Sequence, residues 1–339
     1  MVIARLFHAW ERRLNAVDTN RLVRPFDWGL DWLDLRGDDL PLGQVQAWAR
    51  DAVAESDRFF EAPPLERAGF QRQGDQITFP SAITTPYPEN DLVRVRSFAP
   101  QDPRPNQPRR AVIVIAQWNA DEGGHVGLCR LFARFGLHAY RLSLPYHDAR
   151  RPADLKRADY IVSSNIGRTL QANRQAVLDI KRTADWLVDE GFERIGIIGT
   201  SLGSCQSMLA MAHDPRITAG AFNHVSPFFA DVVWRGLSTR HVREGLEGHI
   251  TPDALRACWM PISPWPFIDR VGGRNVLLIY ARYDLTFPVD LSRTFIEEFR
   301  RRRVPHELGV LPCGHYTTGK PPFSYLDGYY LTKFFVKRL

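Results

Sequence analysis

Hydrophobic positions change their period along the chain. Near the N-terminus Ile3, Leu6, Phe7, Trp10 and Leu14 recur at helical spacing, so residues 1 to about 65 read as mostly helical and aromatic-rich. That stripe is expected to pack on the protein's own body; contact with a membrane surface or a partner, given the arginines opposite, is the less favoured reading. From about residue 69 the runs "QITF" and "DLVRVRSF" alternate with period two and predict half-buried antiparallel strands. The segment "PQDPRPNQPRR" is too proline-rich for regular structure and predicts an exposed connection.

Beyond it, apolar runs and helical patterns take turns. Residues 111–116 predict a strand, 124–135 a helix and 138–143 a strand, followed by a long helical region ending at Glu190. Strand 194–199, helix 202–212, strands 219–224 and 275–280, helix 289–302, strand 304–310 and a C-terminal helix complete the alternation. Such an order predicts an α/β fold with a mostly parallel eight-stranded sheet covered by helices on both faces. About fifty residues after Val225 break the rhythm, rich in aromatics and far longer than a usual connection, and predict an inserted helical cap. The layout is thus an N-terminal helical extension over 1–68, a core over 69–225 and 275–339, and a cap over 226–274.

Composition narrows the class. Of the 44 basic residues 39 are arginine, and the net charge of +6 comes in short separated runs, Arg300 to Arg303 sitting where cations complement a helix C-terminus. No nucleic-acid-binding module accompanies the charge, so no nucleic-acid partner is expected. The four cysteines show neither zinc-site spacing nor a dense disulfide framework. The first residues lack the uninterrupted apolar core of a secretory signal and no stretch approaches a membrane span, which together predict a cytoplasmic protein.

The candidate chemistry lies in "RIGIIGTSLGSCQSMLAMA", where Ser201 stands between Gly199 and Gly203 at the junction of a predicted strand and helix. A sharp turn there exposes the hydroxyl and crowds the backbone, hence very small residues two before and two after. The Leu202 N–H, at the start of the helix, is half of an oxyanion hole. A serine nucleophile needs a base and a carboxylate to orient it, each at the C-terminal end of a later strand. "NVLLIYARYDLTFP" supplies Asp284 and "VLPCGHYTTG" supplies His315; Asp231 and Asp290 are the other candidate acids. His125, His147, Asp148 and Asp121 also fall near strand ends, but without the fixed spacing of a zinc motif, and read as loop or pocket-rim hydrogen-bonders. Cys205 and Cys313 read as small fillers.

With those residues in place, the chain from about residue 75 to the end resembles the α/β-hydrolase superfamily, in particular its esterase and dienelactone-hydrolase-like members. The resemblance implies a nucleophile elbow at Ser201, an acid at Asp284 and a base at His315. The family's usual His-Gly pair is replaced by Gln117-Trp118-Asn119. Trp118 N–H is the positional match for the second oxyanion donor, with Gln117 as substitute. Gln117, Asn119, His147, Phe228 and Trp234 are expected to contact substrate. The expectation is a serine hydrolase cleaving a small-molecule carboxylic ester or related acyl compound through an acyl-enzyme on Ser201, with no metal or organic cofactor implied. Alternatives are a catalytically silent binding module acting through the cap or N-terminal helix, or an acyltransferase or peptidase using the same three side chains.

Overall fold

Nine extended segments pair into one sheet: β1 (Gln71–Gln73), β2 (Gln76–Pro80), β3 (Leu92–Phe98), β4 (Arg110–Ile115), β5 (His138–Leu142), β6 (Arg194–Thr200), β7 (Ile217–Asn223), β8 (Asn275–Ala281) and β9 (Glu307–Leu311). The computed structural model describes residues 2–36, 40–101 and 108–339, so most of the expected proline-rich connection lies outside the described residues. The spatial order is β1-β2-β3-β5-β4-β6-β7-β8-β9, antiparallel from β1 through the β3–β5 pair and parallel from β5 to β9. The strand beyond the expected eight is β1, a three-residue hairpin arm of polar, exposed residues with no apolar position to announce it.

The unbroken apolar runs follow from burial on both faces. In β4, Ala111, Ile113 and Ile115 pack into one core while Val112 and Val114 pack into the other. The first core is roofed by the 24-residue helix Ile166–Asp189, whose start is capped by the Asn165 side chain accepting from Arg168 N–H at 2.8 Å. The C-terminal helix Phe323–Arg338 closes the second core through Leu331, Phe334 and Phe335. A buried ion pair ties the long helix to the sheet's loops: Asp179 and Arg150, both fully enclosed, meet at 2.8 Å, and Arg150 also donates to the carbonyls of Asn90 and Ser143. Arg150 is therefore interior.

Between β7 and β8 the chain forms three short helices, Phe229–Arg235, Arg240–Leu246 and Pro252–Cys258, and two 3-10 turns, Met260–Ile262 and Trp265–Val271. The N-terminal region is less helical than its composition suggests. Helices Val2–Asn15 and Pro41–Ala54 are present, but residues 16–29 form a strap without helix, held by backbone bonds such as Asp27 N–H to Ser164 O and Ile166 N–H to Asp27 O. The first helix buries only part of the expected stripe, together with a charged residue outside it. Phe7 stacks on Tyr283 with centroids 4.7 Å apart and Glu11 is fully enclosed, whereas Ile3, Leu6 and Trp10 remain exposed. Among the described residues no helix is long and apolar enough to cross a membrane.

Candidate active site

Strand β6 hands the chain to the helix Leu202–Ala212 through a single strained residue, Ser201, at φ 58° and ψ −120°. The two flanking glycines are required by contact. A Cβ on Gly199 would lie 2.0 Å from the Gly203 carbonyl oxygen, and one on Gly203 would lie 2.7 Å from those of Ile115 and Ala116. The turn aims the Ser201 side chain at His315, with Oγ 3.0 Å from Nε2, and His315 Nδ1 lies 2.9 Å from Asp284 Oδ2. With Nδ1–H donating to the carboxylate, Nε2 is left to accept the serine proton. Asp231 and Asp290 are engaged elsewhere, by Arg256 and Arg235.

The Asp284 carboxylate is held from every side. Oδ1 accepts the N–H groups of Thr286 (2.8 Å) and Phe287 (2.7 Å), while Oδ2 accepts from His315 and from His224 Nδ1 at 2.8 Å. Burial alone would raise its pKa, but the His315 charge and the two imidazole donors outweigh it and hold the carboxyl well below the ordinary range. His224, buried just past β7, is pushed below its usual value by burial and by repulsion from His315, so it stays neutral. For His315 burial acts downward, yet Asp284, by charge and hydrogen bond, prevails and Glu11 adds to it; the imidazole is raised above 6.5.

Glu11 and His224 carry no signal that sequence reasoning could use. Glu11 reaches from the first helix into the His315 loop, Oε2 accepting Tyr316 N–H and Oε1 accepting Thr317 N–H and Oγ1–H, each at 2.9 Å. The contact spans 305 residues. It also explains Gly314, where any Cβ would collide with the Glu11 carboxyl. His224 follows an unremarkable strand and becomes visible only beside Asp284.

Ser201 and His315 open into a cavity of about 1040 Å³, also lined by Leu202, Gln117, Trp118, Asn119 and Phe228. The main-chain N–H groups of Leu202 and Trp118 have no acceptor among the described residues, whereas Asn119 N–H is used, donating to His147 Nε2 at 2.9 Å. His147 itself lies behind this loop, its Nδ1–H donating to Pro145 O and its pKa lowered to about 4 by burial. It braces the Trp118 turn and does not line the cavity, contrary to the expectation that it touches substrate. Trp234 is likewise off the cavity, covered by Arg243 at 5.8 Å from its ring. His125 contacts Thr200 Oγ1 at 2.8 Å, and Asp148 takes Arg141 and Ser143, so these groups act as loop hydrogen-bonders. The four cysteines are free and buried.

The sequence matches no family model and no curated protein. Solved structures do resemble it. The chain is similar to the acylaminoacyl peptidase of Pyrococcus horikoshii, with 15% identity and a TM-score of 0.60 over 80% of this chain and 42% of that one. It is similar to an esterase of Pyrococcus furiosus, with 16% identity and a TM-score of 0.53 over 82% and 97% of the two chains. A puromycin-hydrolyzing peptidase of Mycobacterium tuberculosis gives 15% identity and 0.59 over 80% and 47%. The chain thus spans less than half the length of either peptidase. What is shared at these identities is architecture: the protein has the α/β-hydrolase fold.

Proposed function

We propose that the protein is a serine hydrolase that cleaves a carboxylic ester through an acyl-enzyme on Ser201. One observation carries the reading: a serine held at positive φ, its Oγ 3.0 Å from an imidazole that is itself 2.9 Å from a buried carboxylate, with the serine and the imidazole opening on one large cavity. In the first step Oγ attacks the ester carbonyl carbon while its proton passes to His315 Nε2. The oxyanion is received by Leu202 N–H at the helix start, with Trp118 N–H as the second donor. Collapse of the adduct breaks the bond to the alcohol, which leaves with the proton from His315. Water then gives its proton to His315 and attacks the acyl carbon, releasing the acid and restoring Ser201. Asp284 keeps the imidazole in the required tautomer and offsets its charge.

A fluorophosphonate probe tests the assignment directly. Wild type should be labelled and Ser201→Ala should not, with ester turnover falling by a factor of about 10⁴ to 10⁶. Equal labelling of the two proteins removes Ser201 from the mechanism. The peptidases among the structural neighbours motivate a second arm, in which p-nitrophenyl esters and p-nitroanilides of one acyl group are compared. Esters are expected to be preferred; a preference for the anilides reassigns the substrate to peptides.

A further inference from the structure

The cavity wall contributed by the N-terminal strap is cationic in a way the ion pairs around it do not cancel. Arg157, 7% exposed, donates from Nη1 to Asp18 Oδ2 (3.3 Å) and Asn20 Oδ1 (3.1 Å). Arg21 donates from Nη2 to the same Asp18 oxygen and to Tyr316 Oη, both at 3.2 Å. Asp159 pairs with Arg24 at 3.1 Å and lies 3.6 Å from Arg157. Three guanidinium groups thus alternate with two carboxylates, leaving one positive charge over. Nη2 of Arg157 and Nη1 of Arg21 have no hydrogen-bond partner among the described residues, and both side chains line the cavity. Lys156 and Arg151, exposed and unpaired among the described residues, stand on the same lining.

This wall adjoins the reacting groups. Tyr316, which Arg21 touches, is the neighbour of His315, with ring centroids 6.0 Å apart. Arg157 lies over the ring of Trp118, 5.5 Å from its centroid, and Trp118 offers the second oxyanion donor. The field is felt nearby: His241, stacked on Trp118, is lowered to about 4 first by burial and then by Arg157, Arg21 and Arg24. The planar fork of a guanidinium, with N–H groups left unused, matches the two oxygens of a carboxylate.

We propose that Arg21 and Arg157 form a carboxylate-binding subsite, so that the preferred substrate is an ester carrying a free carboxylate within reach of this wall. The proposal rests on the hydrolase reading above and names the substrate class of that site. Charge complementarity here acts on specificity: a neutral ester of equal length leaves the subsite's donors without a partner.

Matched pairs of esters test it. On the acyl side, p-nitrophenyl hydrogen glutarate is compared with p-nitrophenyl pentanoate; on the alcohol side, 4-carboxyphenyl butyrate with phenyl butyrate. At low ionic strength at least one charged member should show a kcat/KM about tenfold or more above its neutral partner. Arg157→Gln and Arg21→Gln should each bring that ratio towards one, and Arg21, the more accessible side chain, carries the test if Arg157→Gln does not fold. Ratios near one for both pairs in the wild type, or ratios indifferent to both substitutions, overturn the subsite. If no ester is turned over in a Ser201-dependent manner, the hydrolase reading fails separately. Calorimetric titration of glutarate into wild type and Arg21→Gln then decides the subsite alone: binding weakened about tenfold by the substitution supports it, and absence of binding or equal binding overturns it.

Discussion

Asp284 accepts four hydrogen bonds, two from main-chain amides and two from imidazoles, so its orientation does not depend on His315 alone. His224 is the unusual member. As a neutral donor it pins Oδ2, and its loss leaves one lone pair of a buried charge unmet. A hydrogen bond to a charged group is worth about 1.5–3 kcal/mol, so His224→Leu is expected to lower kcat by roughly ten- to a hundredfold with little change in KM. Steady-state kinetics on a p-nitrophenyl ester read the split, and a change confined to KM would assign His224 to substrate contact instead. The pH profile follows from His315. The base must be unprotonated, and Asp284 and Glu11 favour its protonated form, so kcat/KM should rise with pH along an acid limb whose midpoint lies above 6.5. Asp284, held below the carboxylate range, should contribute no second limb there.

Among the elements, the helix Val2–Asn15 has the most to do with the site while lying outside the sheet. Its Glu11 fixes the His315 loop, and its Phe7 stacks on Tyr283, the residue before Asp284. Glu11→Gln preserves size and removes charge, so the acid limb of kcat/KM should move to lower pH; a shift absent while kcat falls would assign Glu11 to loop geometry alone. The elbow between β6 and its helix is an element with no tolerance. Gly199→Ala places a methyl group against the Gly203 carbonyl, and a loss of about 3 kcal/mol or more is expected, read as a lowered urea midpoint. How legible these parts are in sequence depends on their range. Ser201, Asp284 and His315 are readable because each ends or follows a strand whose apolar run is local. β1, with Gln71, Arg72 and Gln73, has no such run. Glu11, Arg21 and His224 owe their meaning to contacts made by distant chain segments, which periodicity does not encode.

At the scale of the whole molecule, the sheet, the long helix and the loops before β3 are locked by the enclosed Arg150–Asp179 pair. Asp179→Ala strands a buried guanidinium, and a loss of about 3–5 kcal/mol is expected in chemical denaturation. Asp179 is not on the cavity, so fluorophosphonate labelling of the folded variant should match wild type. Phe228 and Phe229 of the expected cap and Asp18, Asn20 and Arg21 of the strap line the same cavity, which is why neither half of the chain outlines the cavity by itself. The 305-residue separation between Glu11 and Tyr316 bears on biosynthesis. A nascent chain leaving the ribosome carries its first helix undocked until the segment bearing His315 has emerged, so reactivity toward a fluorophosphonate should appear only once that segment is out. Ribosome-stalled chains ending before residue 315 should stay unlabelled by fluorophosphonate, and the unfinished polypeptide is spared from acylating itself.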